Sequence, residues 1–416
     1  MKKRQSSTRW LGVALACGTF TFAVASQAAK PPPVPTGPTY RIVALGTLGG
    51  STVSPSAING AGWVAGGSSS TAVMVVPEPS PGGPVYFRDT SPADGVNDLI
   101  QVLPGIPGSL YLVANDINDT GVVSGAHTPN APDAAYRAMV YSPAGPVDLG
   151  IVCAEDTFAF CINNLGLAVT GPGQWWEIYA PCHLVVPKDN DGDGLADTWF
   201  EDANADGVND LLKLIAPPSG YDPRYDLWWN LFSPEGINDK GQIILDAWQG
   251  GGFLLNPDYT DADGDGNPWY ADANADDFND LLVELIGLNG DDAYVKDINA
   301  AGQIVGSSNR RAVLWNFTGG AQTVKDLGLL SKSVKSMAAA AINDAGQIVG
   351  TATFQNSRTT FLVYKGTMYD LATRLTNGTG WTNLTANDIN SQGSIIGHGY
   401  LNGVSQGFVA IPVTQP

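Results

Sequence analysis

The apolar positions of this chain fall in short β-branched runs bounded by Gly and Pro, and the runs repeat. Seven times an apolar run ends in Ile-Asn, followed by two variable residues, a Gly and a further β-branched run. The copies stand at Ile58-Asn59, Ile117-Asn118, Ile162-Asn163, Ile237-Asn238, Ile298-Asn299, Ile342-Asn343 and Ile389-Asn390. The Gly keeps its register throughout, at Gly62, Gly121, Gly166, Gly241, Gly302, Gly346 and Gly393. Asn at the first position of a tight turn bonds the backbone ahead of it, and Gly takes the positive φ that the turn requires. Each phrase therefore predicts a β-hairpin. Because the same Asn stands in all seven copies, it reads as a turn former and not as a ligand-binding residue.

Where nothing is inserted, successive copies begin 44 to 47 residues apart. One such unit predicts four strands, at 335–342, 347–353, 359–364 and 367–371. Four short antiparallel strands per repeat of about 45 residues define a propeller blade. The fold class predicted is thus all-β: a seven-bladed β-propeller of four-stranded antiparallel blades. After the seventh Ile-Asn only two further strands follow, at 394–398 and 407–411, whereas residues 40–48 (YRIVALGTL) match VKDLGLL at 324–330. The N- and C-terminal strands should share the last blade, which leaves no open sheet edge.

The phrases LGTLGG (45–50) and AINDAGQIVG (341–350) resemble the HAF family of extracellular repeat proteins, over essentially all of residues 40–411. The family's His-Ala-Phe phrase is degenerate here, as in Gly407-Phe408-Val409 and Thr360-Phe361-Leu362. The resemblance implies secretion and a repeat scaffold. It brings no established reaction and no catalytic residues.

The N-terminus supports export. Lys2, Lys3, Arg4 and Arg9 precede an apolar run at 11–24 and a small-residue exit at Ala28-Ala29, the layout of a signal peptide over residues 1–29. The run is shorter than the roughly 20 residues that a spanning helix needs. A stiff Pro-rich leader follows at 30–39, and the propeller occupies 40–416. Cleavage near Ala28 or Ala29 would leave a secreted or periplasmic chain. It removes four of 21 basic and none of 40 acidic residues, so the mature charge is 17 − 40 = −23. Nucleic acid and anionic membranes are poor partners for such a chain, and divalent cations are good ones. Three cysteines survive export, Cys153, Cys161 and Cys182, of which only Cys153 and Cys182 are placed to pair.

Blades one, three and four exceed the basic period because the hairpin between strands three and four is expanded, in the latter two at about 187–212 and 257–282. The pattern D-x-[DN]-x-D-G-x-x-D sets oxygen ligands at alternate positions of a loop that curls at Gly, an arrangement suited to Ca²⁺. Blade three carries it twice, as Asp189, Asp191, Asp193 and Asp197, then Asp202, Asn204, Asp206 and Asp210. Blade four carries Asp261, Asp263 and Asp265, then Asp272, Asn274, Asp276 and Asp280. No loop has the Glu expected at position twelve of an EF-hand, since Phe200 and Lys213 stand there, and the loops resemble those of thrombospondin type 3 repeats. Residues 189–210 and 258–280 hold eight carboxylates each, a crowding that repels itself without cations. In blade one, Asp89, Asp94 and Asp98 have lost the alternate spacing and predict no tight ion.

The loops on the opposite face carry Trp175, Trp176, Trp228, Trp229, Trp248 and Trp381, candidates for stacking on a sugar ring. His127, His398, Asp226 and Asp246 are placed there too. No G-x-S-x-G, H-E-x-x-H or phosphate-binding Gly loop occurs. The reading that follows is a secreted, calcium-binding, non-catalytic and monomeric propeller that engages an extracellular glycan or protein. Its rival is a secreted glycosidase or lyase working through two loop-face carboxylates such as Asp226 and Asp246.

Overall fold

Asn59 opens a turn in which its carbonyl accepts from the Gly62 amide at 2.9 Å and its own amide donates to the Trp63 carbonyl at 3.1 Å. The same two bonds recur at Asn118, Asn163, Asn238, Asn299, Asn343 and Asn390, and the seven glycines hold φ between 71° and 83°. The predicted hairpins are therefore all present. A computed structural model of the chain describes residues 37–413 except 91–93, 131–134, 151–155, 174–180, 217–220, 223–226, 229–231, 248–250, 262–263, 274 and 276–277, and except the side chains of 221–222 and 227–228. The signal-peptide reading and most of the leader fall outside that range.

Each hairpin joins the first two strands of a four-stranded antiparallel sheet, and there are seven such sheets. Blade six runs Ser336–Ile342, Ile348–Thr353, Arg358–Tyr364 and Thr367–Asp370, within a residue or so of the predicted strands. Blade seven runs Trp381–Ile389, Ile395–Leu401 and Val404–Pro412, and its fourth strand is Tyr40–Ala44, with Tyr40 opposite Pro412 and Ala44 opposite Phe408. The first strand of every blade contacts the first strands of its two neighbours, so seven inner strands close a ring around a channel. The long hairpins of blades one, three and four join strands three and four, as the repeat lengths require.

Packing between blades supplies the core. Leu184 of blade three meets Ile243 and Phe253 of blade four in one cluster, and Val305 of blade five meets Met337 and Phe361 of blade six in another. Each such side chain contributes roughly 1.5–3 kcal/mol through removal from water. One regularity was not foreseen: every inner strand has a β-bulge just before Ile-Asn, for example between Ala114 and Asp116 and between Ala386 and Asp388. The bulge brings two backbones together. A Cβ on Gly125, Gly306 or Gly397 would lie 1.9 Å from a carbonyl oxygen of the inner strand, which explains the glycine in strand two of most repeats.

Candidate functional site

The Asp-rich hairpin of blade three is anchored before it is acidic. Trp199 is buried beneath the Asn-x-x-Gly turn of its own blade, where its indole donates to the Gly166 carbonyl at 2.9 Å. Asn209, 2% exposed, donates through Nδ2 to the carbonyls of Leu149 (3.2 Å) and Trp199 (2.8 Å). Its Oδ1 accepts from the amides of Glu201 and Leu211, both at 3.1 Å. Four hydrogen bonds thus tie one buried side chain to two blades. Blade four repeats the device with Trp269 on Gly241 and Asn279 on Ile215 and Trp269, and blade one repeats the Asn component with Asn97 on Leu45 and Tyr86.

On this base the loops curl around their own carboxylates. Asp189 accepts from the amides of Gly192 (2.7 Å) and Gly194 (2.9 Å), Asp191 from Asp193 (3.1 Å), Asp193 from Leu195 (2.8 Å) and Asp197 from Asn190 (2.9 Å). The amides of Gly194 and Gly192 hold the exposed Asp189 carboxyl below its ordinary pKa. Carboxylate oxygens of Asp189, Asp191 and Asp197 lie within 4.8 Å of one another, and among the described residues no other group of three metal-binding side chains does so. An all-oxygen set in an exposed loop fits a hard cation such as Ca²⁺.

The second loop has the same wiring. Asp202 accepts from Asp206 (3.0 Å) and Gly207 (2.9 Å), Asn204 from Asp206 (2.9 Å), Asp206 from Val208 (2.8 Å) and Asp210 from Ala203 (2.7 Å). In blade four, Asp261 accepts from Gly266, Asp265 from Asn267 and Asp280 from Ala273. Asp272 is described too, while Asp263, Asn274 and Asp276 lie outside the described residues. Lys213, at the place of an EF-hand Glu, instead donates to the Gly266 carbonyl at 2.9 Å and straps the blade-four loop to blade three. In blade one, Asp89 accepts from Asp94 and Gly95, each one residue further on than the partners of Asp202, and Arg88 lies against Glu78 and Asp98.

The channel holds a second set of polar groups. The Nδ2 of each repeat Asn donates to the carbonyl of the Asn in the next blade, from Asn59 to Asn118 (3.0 Å) and onward until Asn390 returns to Asn59 (2.9 Å). Behind this ring stand Asp116, Asp297 and Asp388, each at a bulge. One oxygen of each accepts from the next amide of its own strand, the other from the Ile amide of the following blade: Ile162 (2.9 Å), Ile342 (2.7 Å) and Ile58 (2.8 Å). Burial, with Asp388 nearby, pushes the Asp297 carboxyl up to about 8, and burial raises Asp388 to about 6. The signal was in the sequence as Asp-Ile-Asn in three copies of seven.

On the opposite face, Trp175, Trp176, Trp229, Trp248 and Asp226 lie outside the described residues. Trp228 falls in a two-residue strand, Leu227–Trp228, paired with Tyr221–Asp222. Trp381 packs edge-on against Phe408 at 5.8 Å and joins the core of blade seven. The histidines expected in loops belong to strands instead. His127 lies between Ser109 (2.9 Å) and Asp148 (3.2 Å), and His398 bonds Ser54 at 2.8 Å, because strand two runs longer in blades two and seven. Asp246 is likewise in a strand, its carboxyl raised to about 7 by burial and by Glu235, against the opposing pull of Lys296. Cys161 is a buried free thiol, and Cys182 is buried with Sγ 3.5 Å from the Phe232 carbonyl; Cys153 lies outside the described residues.

The fold and its channel place the chain among β-propellers. No family model and no curated protein matches it. Among solved structures it is similar to the β-propeller domain of the Trilobed protease from Pyrococcus furiosus, at 10% identity and a TM-score of 0.42, over 74% of this chain and 84% of that one. It is also similar to a puromycin hydrolase, at 14% identity and a TM-score of 0.46, over 86% of this chain and 53% of that one. A third likeness is to the PQQ-bound aldose sugar dehydrogenase of Streptomyces coelicolor, at 14% identity and a TM-score of 0.34, over 75% and 93%. These distant likenesses carry no inference about chemistry.

Proposed function

We propose that this chain is an exported calcium-binding propeller that serves as an extracellular binding or surface-interaction module. The observation that carries the reading is the convergence of Asp189, Asp191 and Asp197 oxygens within 4.8 Å at the tip of an anchored hairpin. Ca²⁺ would neutralise carboxylates that otherwise repel one another, and in doing so would stiffen the acidic face. The second blade-three loop, Asp202, Asn204, Asp206 and Asp210, offers oxygen donors at the same spacing, with the Asn204 amide in place of a carboxylate, and similar backbone support. Blade four, with Asp261, Asp263, Asp265, Asp272, Asn274, Asp276 and Asp280, would hold matching ions.

Export rests on the charged, apolar and small-residue segments of residues 1–29, and binding without turnover on the lack of a catalytic motif in the sequence. No helix among the described residues is long and apolar enough to cross a membrane. Calorimetric titration of the mature chain with CaCl₂ tests the proposal. Saturable binding that Mg²⁺ does not reproduce supports it, and no heat of binding at millimolar Ca²⁺ refutes it.

A further inference from the structure

On the face opposite the Asp-rich hairpins, blades six and seven enclose a groove of about 650 Å³, within the range of small-ligand sites. One wall is the loop after Ile348–Thr353, with Phe354 and Arg358; the other is the start of strand one and the end of strand two of blade seven, with Asn383, His398 and Tyr400. Two backbone features shape it. Asn383 sits at φ 52° within a bulge, and its Oδ1 accepts from the Arg358 amide at 3.1 Å, which joins the two walls. Strained residues of this kind persist where the surroundings hold them, and often at sites. Gly399 forms the floor, since a Cβ there would lie 2.6 Å from the Leu384 side chain.

The lining is chemically unlike the rest of the chain. In a protein with 40 acidic and 21 basic residues, none of the twelve residues lining this groove is Asp or Glu. Arg358 is its one permanent cation, exposed and without an ion-pair partner among the described residues. His398 is held towards its neutral form by burial and already bonds Ser54. Most of the other lining residues offer hydroxyl or amide groups, and Tyr400, 45% exposed, and Phe354 offer ring faces. Aromatic planes beside amides and hydroxyls suit a pyranose ring, and a lone guanidinium forks onto a carboxylate.

We infer that this groove binds a saccharide bearing one carboxylate, a uronic-acid sugar, with the carboxylate on Arg358 and the ring against Tyr400. The inference gives a ligand class to the binding role proposed above, at a site separate from the calcium loops. It is tested by titrating the full mature chain at pH 7 with a disaccharide ending in glucuronic acid and with the same disaccharide ending in glucose, each in Ca²⁺ and in EDTA.

The acidic sugar should bind at least tenfold more tightly. Arg358→Met should erase that preference, and Tyr400→Ala should weaken both sugars, with unchanged melting curves as the check on folding. Equal affinity for the two sugars, no binding of either at millimolar concentration, or an Arg358→Met variant that keeps the preference would each overturn the inference. Sugar binding that persists in EDTA, from a chain that ignores Ca²⁺, would count against the calcium reading alone. Calcium binding without sugar binding would count against this one alone.

Discussion

The side-chain amide of Asn390 donates to the backbone carbonyl of Asn59 at 2.9 Å, and so joins the last blade to the first across 331 positions of sequence. The bond is the seventh of a closed cycle, and each member also spends its Oδ1 on its own turn, as Asn118 does with the amides of Thr120 and Val122. One residue type thus shapes the hairpin and links each blade to the next. Asn163→Ala strips both functions from one position. It should cost about 1–3 kcal/mol, since it leaves the Asn238 carbonyl and the Leu165 and Leu167 amides short of partners. Urea unfolding checks this, and a loss below about 0.5 kcal/mol would place the closure elsewhere.

Asn209 is predicted to matter to the acidic hairpin more than any carboxylate does. Asn209→Ala removes its bonds to Leu149, Trp199, Glu201 and Leu211. Hydrogen exchange of the 187–212 segment should speed up while the Asn163 turn of the same blade stays protected. Uniform acceleration over all blades would contradict this local role.

The channel carboxylates give a pH dependence of defined sign. Asp297 and Asp388 are raised to about 8 and about 6, above the unfolded carboxyl value of roughly 3.9. Between those limits the folded chain holds more protons than the unfolded one, so their contribution to stability is present at low pH and lost as pH rises towards 8. Asp116 acts on Asp297, and Asp116, Asp297 and the Lys296-paired Glu235 act on Cys161, so these groups enter the same balance. With EDTA present, the gap in melting temperature between wild type and Asp297→Asn should shift between pH 5 and pH 9 in favour of the variant. Parallel curves would show that Asp297 titrates normally.

Cys161 should be silent to alkylating reagents in the native state. Burial first, and Asp116 next, push its thiol well above the ordinary value, so little thiolate forms near neutrality. Iodoacetamide labelling read by mass spectrometry should mark Cys161 only after denaturation; native labelling within minutes would contradict the burial.

The blades were legible because a two-residue phrase with a Gly in fixed register specifies a hairpin locally, and the match of residues 40–48 to 324–330 revealed the shared blade. What stayed hidden depends on neighbours remote in sequence. That Asn59 reaches Asn118, or that Asp388 reaches Ile58, follows from closure of the ring and not from any local pattern. Asn97, Asn209 and Asn279 recur in the Asn-Asp-Leu ends of the three long hairpins, but only their burial marks them as anchors. His127 and His398 were misplaced because strand length, which loop-like composition does not report, carries them into the sheet.

Calcium binding by the acidic hairpins should show in the response of the fold to Ca²⁺. Melting curves of residues 30–416 in saturating CaCl₂ and in EDTA, for wild type and for Asp191→Ala with Asp206→Ala, measure it directly. Saturation at about a hundred times Kd adds on the order of 2.7 kcal/mol per site bound only in the folded state. Wild type should therefore melt several degrees higher with Ca²⁺, and the double variant should lose part of that gain while matching wild type in EDTA. Identical wild-type curves in Ca²⁺ and EDTA would contradict the account and leave the hairpins of blades three and four as solvated acidic loops.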